Sequence, residues 1–159
     1  MRVLPVETRK ACAADIEAIV ELWKELTNFH LKRDPHFKPS TTADEAFAAF
    51  VGEQIEKDDS LVLVAEDGDT VVAYALAVIA TRPPVFEETR YGAVYDLLVT
   101  DSHRRQGIGE HMVRKIERWF AERSIRRIDV RVSTRNEVST RFWRKLGYEP
   151  YLETLYREI

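Results

Sequence analysis

The chain has 159 residues, of which 45% are hydrophobic and 32% charged, the proportions of one soluble globular domain with one core. The opening Met1-Arg2-Val3-Leu4-Pro5-Val6-Glu7-Thr8 lacks the apolar run of a secretory leader, and no stretch approaches the roughly 18 apolar residues of a membrane span. With one cysteine, Cys12, an intramolecular disulfide is excluded, and the expectation is a cytoplasmic protein with no membrane partner.

Net charge is −3 and unevenly spread: residues 104–145 carry 13 Lys/Arg against 5 Asp/Glu, and residues 1–103 carry 10 against 19. One part of the chain suits a polyanionic ligand and another a cation, although both runs also read as solvated faces. The basic part has no zinc-finger or aromatic ribonucleoprotein signature, so no nucleic-acid partner is predicted.

Residues 6–11 read as a first strand. Ile16, Ile19, Val20, Trp23 and Leu26 recur at helical spacing, which predicts an amphipathic helix over 13–30. Asp34-Pro35 breaks it. Thr42-Ala43-Asp44-Glu45 has the capping-box pattern, and a second helix follows with Phe47, Phe50, Val51 and Ile55 on one face. Residues 61–66 are a strand, Asp67-Gly68-Asp69 a hairpin turn, and 70–80 the partner strand. Arg82-Pro83-Pro84-Val85-Phe86 is unsuited to a sheet interior and forms a loop. A strand over 91–100 leads to a helix over 107–123, whose apolar stripe is Ile108, Met112, Val113, Ile116, Trp119 and Phe120. Residues 127–133 form a strand. Asn136 caps a short helix that stops at Gly147, and 148–159 supply one or two closing strands. The strand–helix–strand unit from 91 to 133 is expected to be parallel and right-handed. The expected fold class is α+β: one domain over 1–159, with a mixed, mostly antiparallel sheet of about six or seven strands and about four helices.

The most informative stretch is Tyr95-Asp96-Leu97-Leu98-Val99-Thr100-Asp101-Ser102-His103-Arg104-Arg105-Gln106-Gly107-Ile108-Gly109. A strand runs into a loop with two arginines and two glycines, and the loop opens a helix. The first N–H groups of a helix lack internal partners and sit at the positive end of its dipole, which makes an anion site. Gly107 and Gly109 allow a phosphate close to the backbone, and Arg104 and Arg105 add charge-assisted donors. The P-loop spacing is absent. A dinucleotide fingerprint stays open as a rival: Gly107 and Gly109 supply two of its three glycines, Met112 replaces the third, and Asp129 lies where the ribose-binding acid is expected.

These residues resemble the GNAT superfamily of N-acetyltransferases. Its signature, [RQ]-x-x-G-x-[GA] after a strand, stands here as Arg104-Arg105-Gln106-Gly107-Ile108-Gly109, and a second family feature as Asn136 followed by Phe142-Trp143-Arg144-Lys145-Leu146-Gly147-Tyr148. The resemblance covers nearly the whole chain. It implies a GNAT fold, in which the two parallel strands splay apart and the pantetheine arm of acetyl-CoA enters between them. Carried over, the backbone N–H groups of Arg105, Gln106, Gly107, Ile108 and Gly109 bind pyrophosphate with help from Arg104 and Arg105. Leu97, Leu98 and Val99 pair with pantetheine, Asn136 hydrogen-bonds the cofactor, and Phe142 packs beside it.

The implied reaction is direct attack of a neutral amine on the thioester, without metal. It needs a base for the ammonium proton and an N–H for the oxyanion. Asp96, on the cleft-lining strand, is the candidate base, the alternative being a structural bond to a neighbouring strand. Val99 or its neighbour is the candidate oxyanion donor. Many family members place a tyrosine where this chain has Trp143, so the usual proton donor is absent there; Tyr148 and Tyr151 are the substitutes in sequence, and a thiolate also leaves without one. The acceptor is expected between the end of the first helix and the Pro-Pro loop, near Phe29, His30, Asp34, His36, Phe37, Phe86 and Glu87. The acidic balance of residues 1–103 predicts an acceptor that is cationic before deprotonation: a polyamine, an amino sugar or a peptide N-terminus. Homodimerisation through the closing strands is consistent with the resemblance. A non-catalytic acetyl-CoA-binding module is the alternative function.

Overall fold

The computed structural model describes residues 5–159; the segment on which the absence of a leader was read lies partly outside them. Two runs, Leu61-Val62-Leu63-Val64-Ala65 and the apolar part of 70–80, are hydrophobic on both faces, so both faces of their sheet must be covered. The structure does this. Strands β1 (Glu7–Lys10), β2 (Ser60–Asp67), β3 (Thr70–Thr81), β4 (Arg90–Val99) and β5 (Ile128–Val130) lie side by side in chain order. The first three pairings are antiparallel and β4 with β5 is parallel. Helices α1 (Ile16–Leu31) and α2 (Ala43–Glu56) cover one face. Ile19, Leu22 and Val51 meet Val62, Val64, Tyr74, Leu76 and Leu98 there. Helix α3 (Ile108–Glu122) covers the other face, with Met112, Val113, Ile116 and Phe120 on Leu63, Ala75 and Val94. Trp143 of α4 (Glu137–Lys145) joins that second core.

Local chemistry places most boundaries where the sequence does. Gly68 turns the β2–β3 hairpin at φ +60°. The Asn136 side chain accepts from the Ser139 N–H at 3.1 Å and caps α4. At the other end, Gly147 (φ +93°) donates to the Arg144 carbonyl and Tyr148 to that of Trp143. This is a Schellman motif, completed by the Trp143 and Tyr148 rings at 4.9 Å. Arg9 pins β1 to the start of α1 through Asp15 (2.7 Å) and to β2 through Glu66.

Three expectations are corrected. Thr42 precedes α2 but its side chain makes no capping bond; the Ala46 N–H takes the Thr42 carbonyl instead. The strand predicted over 127–133 is paired only at Ile128–Val130, because β4 leaves it after Val94. The closing strands over 148–159 do not form, which leaves five strands among the described residues rather than six or seven. Tyr151, Leu152, Leu155, Tyr156 and Ile159 have strand-like composition, yet they find no edge to pair with and remain exposed. The tail is held by side chains: the Arg127 guanidinium over the Tyr151 ring at 4.0 Å, and Arg135 donating to the Tyr156 hydroxyl at 3.0 Å.

The contact between β4 and α3 leaves no room at Gly92. A Cβ there lies 2.7 Å from the ring of Phe120, which is itself fully buried. Gly92→Ala is therefore expected to destabilise the fold by roughly 1–3 kcal/mol through overpacking. A melting temperature within a degree of the wild type would show that the ring yields freely.

Candidate functional site

Strand β4 contains one extra residue. Leu76 pairs with Asp96 and Ala77 with Val94, so Tyr95 has no partner on β3 and forms a bulge. Strict alternation would put Asp96 on the same face as Val94, against α3. The bulge shifts the phase: Val94, Leu97 and Val99 pack in the α3 core, and Leu98 packs in the α1 core. Asp96 falls in phase with Leu98 and opens into a cavity beneath α1. The same bulge ends the parallel pairing. Beyond Val94 and Val130 no residue of β4 pairs with β5, so the two strands splay and residues 95–99 present a free edge.

The Thr100–Gly107 connection turns that edge into α3. Asp101–His103 form a 3-10 turn, Arg105 adopts φ +59°, and Gly107 at φ +81° is the N-cap of α3. A left-handed backbone favours glycine at 107, and a Cβ there meets open space. Among the described residues, no N–H from 105 to 109 meets a backbone acceptor outside the helix ladder. His103 ties the loop to the β2–β3 turn, with Nε2 2.8 Å from Asp67. Arg105 and Gln106 are exposed. Arg104 differs from the expectation for a phosphate ligand. Its Nε donates to the Val99 carbonyl at 3.0 Å, and its guanidinium meets Asp101 at 2.6 Å. Gly109 contributes to packing as well, since a Cβ there would stand 3.3 Å from the Phe142 ring and 3.7 Å from Val99. Its bareness thus lets α4 close on β4. Ile108 is buried in the same core.

On the other face of β4, the cavity of about 320 Å³ is lined by Trp23, Leu26, Thr27 and His30 of α1. Phe37, Pro39 and Ala43 of the following segment, with Tyr95 and Asp96, complete it. Asp96 thus lines the cavity, and its carboxylate also accepts from the Tyr74 hydroxyl on the neighbouring strand β3 at 3.1 Å. Burial pushes the Asp96 carboxyl up to about 6, the Tyr74 bond opposing the shift. Burial and the neighbouring Asp96 push the Tyr74 phenol far upward, so it stays a donor. Burial and nearby Arg33 lower the His30 imidazole below its ordinary value.

Of the residues expected around the acceptor, His30 and Phe37 line the cavity. Phe29 lies under the Arg33 guanidinium at 3.5 Å, and Asp34 caps His36 and faces Arg135 at 3.6 Å. Phe86 and Glu87 are exposed on the β3–β4 loop and do not reach it. Sequence reasoning missed the roles of Trp23 and Leu26, which read as part of the apolar stripe of the first helix, of Thr27, which gave no signal, and of Tyr74, a strand residue with no local signal. Asn136 spends its side-chain oxygen on capping α4. Trp143 is buried, the Tyr148 hydroxyl donates to Glu117 at 3.2 Å, and Tyr151 lies exposed on the tail. Asp129 is held by Arg82 at 3.4 Å and Arg127 at 2.8 Å. With one parallel pair in the sheet, the dinucleotide-fingerprint reading loses both its fold and its acid.

Comparison with known proteins bears on this arrangement. The model of the acetyltransferase (GNAT) family matches residues 19–148. An L-2,4-diaminobutyric acid acetyltransferase of Shouchella clausii (strain KSM-K16) is 32% identical over 89 residues. That match takes in 56% of this chain and 47% of the relative, so it spans about half the length of that curated protein. The tetramutant of the BH1408 protein from Bacillus halodurans superimposes with a TM-score of 0.86 at 21% identity, over 96% of this chain and 99% of that one. A predicted acetyltransferase from Clostridium acetobutylicum, solved with acetyl-CoA, gives 0.80 at 20% identity, over 97% and 96%. At these identities the structures establish the shared fold.

The buried carboxylate makes stability depend on pH. An acid whose pKa rises from 3.8 to about 6 on folding is held more tightly in its protonated form. Its contribution is therefore complete below about pH 4 and lost as pH rises through about 6. Asp96→Asn removes this loss. In urea unfolding at pH 8 the variant is expected to exceed the wild type by roughly 1–3 kcal/mol, and the gap should narrow toward pH 4. A gap independent of pH would mean that Asp96 does not titrate in the folded state.

Proposed function

The chain belongs to the acetyltransferase (GNAT) family, and we propose that it is an acetyl-CoA-dependent N-acetyltransferase, transferring the acetyl group directly to an amine of a small molecule or peptide. The observation that carries this reading is the Tyr95 bulge. One extra residue frees the edge of β4 for the donor and turns Asp96 toward the opposite cavity, where an acceptor fits.

The donor fits the residues present. The free N–H groups of residues 105–109 and the open space at Gly107 suit a pyrophosphate at a helix start. The free β4 edge at Leu97, Leu98 and Val99 suits an extended amide-bearing arm. Phe142, packed beside Gly109, is assigned to flank the donor, and the Asn136 amide nitrogen, whose partner oxygen caps α4, is assigned to bond it. Arg105 is exposed and free to approach phosphate, whereas Arg104 acts through the Val99 carbonyl. Acetyl-CoA supplies the activated acyl thioester.

Asp96 is the base: its carboxylate accepts the ammonium proton, and a pKa of about 6 leaves it ionised at neutral pH. Tyr74 orients it. The Val99 N–H is the donor assigned to the charge that develops on the carbonyl oxygen, and the Arg104 bond to the Val99 carbonyl holds the next peptide along the strand. No phenol stands at Trp143, which favours a mechanism without a general acid; a thiol of pKa about 8.5 makes a fair leaving group. The missing phenol is also the observation behind a second reading, a binding module that holds acetyl-CoA without transfer.

Calorimetry and kinetics separate these readings. Gly107→Val is expected to weaken acetyl-CoA binding about tenfold or more, by straining a left-handed position at the phosphate loop. Asp96→Asn is expected to keep donor affinity and lose about 10²–10⁴ in kcat. The wild-type kcat/KM should show a limb near pH 6 that is absent in the variant. Donor binding with no transfer to any of a broad set of amines would favour the binding module. Binding of NADH in place of acetyl-CoA would overturn both.

A further inference from the structure

The acceptor cavity has an unusual balance of charge. Of its nine lining residues, Trp23, His30, Phe37 and Tyr95 carry aromatic rings, and Asp96 alone carries a charge of either sign. His30 adds none at neutral pH, since burial and Arg33 hold its imidazole in the neutral form. The acid on the segment that carries Phe37 is not available either, because Asp34 caps His36 and faces Arg135.

The rings are held in place. Trp23 stacks on Phe47 of α2 at 4.5 Å and 17°, and His30 lies against Phe37 at 5.2 Å. Phe37 and Tyr95 stay partly exposed at 43% and 54%, leaving ring surface for a ligand. The volume is a second constraint. A cavity of about 150 Å³ holds one benzene, so 320 Å³ holds one or two rings with a short arm.

One carboxylate among ring faces matches one ammonium on an apolar body. The cation is drawn to Asp96 and to the ring quadrupoles, and the body stacks or packs edge-on. A second cation inside the cavity leaves water without a counter-charge, which is strongly unfavourable.

We propose that the acceptor is a primary monoamine carrying a flat, one- or two-ring apolar body, with its amine at Asp96 and its rings between Trp23, Phe37 and Tyr95. This rests on the acetyltransferase reading above and narrows it, setting aside polyamines and amino sugars as preferred acceptors.

The test is initial rates with saturating acetyl-CoA and 2-phenylethylamine, tryptamine, n-propylamine, spermidine or neamine as acceptor. The two aryl amines are expected to exceed each of the others in kcat/KM by about tenfold or more, the difference that about 1.4 kcal/mol of ring contact makes. In Phe37→Ala, KM for 2-phenylethylamine should rise about tenfold relative to that for n-propylamine, while calorimetry finds acetyl-CoA affinity unchanged. Spermidine or neamine matching the aryl amines would overturn the inference and leave the acetyltransferase reading standing. So would a Phe37→Ala variant with unaltered discrimination. Acetyl-CoA binding without transfer to any of the five amines, or to a wider set, would overturn the acetyltransferase reading and this inference with it.

Discussion

One residue too many in β4 governs the chemistry of this protein. A strand has period two, so a single inserted residue reverses the face of everything after it. Without the Tyr95 bulge, Asp96 would enter the apolar core beside Val94 and Phe120. With it, Asp96 meets the cavity under α1 and Tyr74 on β3. The bulge also bends β4 away from β5 after Val94, and apart from the Val99 carbonyl, which accepts from Arg104, the unpaired edge that results offers backbone donors and acceptors to solvent or a strand-like ligand. The cavity-facing carboxylate and the free strand edge thus have a common geometric cause.

That arrangement works against stability. Above pH 6 a buried carboxylate is ionised against its own desolvation, and a single phenolic hydrogen bond offsets part of the cost. Elsewhere the chain concentrates favourable interactions. The β2–β4 interior is apolar on both faces, and the Arg9 guanidinium, with the Cys12 N–H, lowers the Asp15 pKa to about 2. Among the described residues, no buried side-chain polar atom lacks a partner. An ionisable group poised by burial, in an otherwise well-satisfied structure, is the pattern expected where a proton must be moved.

How far the sequence could be read follows from the range of each interaction. The Gly68 turn, the Asn136 cap, the Gly147 stop and the α3 stripe are each settled within a few residues, and each forms as expected. The bulge is different. It depends on which residue of β3 faces which residue of β4, and residues 91–100 alone read as an uninterrupted strand. The splay shortened the strand predicted over 127–133 for the same reason. The tail over 148–159 has the apolar residues of a strand, but strands form only against an edge, and the sequence does not say whether one is offered. Trp23 and Leu26 are legible as part of a helical stripe. That this stripe lines a cavity depends on the Pro35–Phe37 turn folding back over α1, where His30 meets Phe37.

The same distinction separates the two halves of the site. The proposed donor side is made largely of main chain: N–H groups of a helix start and the edge of a strand. Such a site is coded by where side chains must be absent or the backbone left-handed, so Gly107 and Gly109 mark it at fixed spacing. The proposed acceptor side is made of side chains from α1, the segment after it and the bulge, and has no spacing rule. The sheet keeps the halves apart, with Leu97 and Val99 facing the core that holds Phe142, and Leu98 the core beneath α1. Substitutions on α1 or at Phe37 can therefore reshape the acceptor cavity without passing through the donor cleft. A fold divided in this way can hold its donor constant while its acceptor changes, because the two are coupled only through the short stretch of β4 from Tyr95 to Val99.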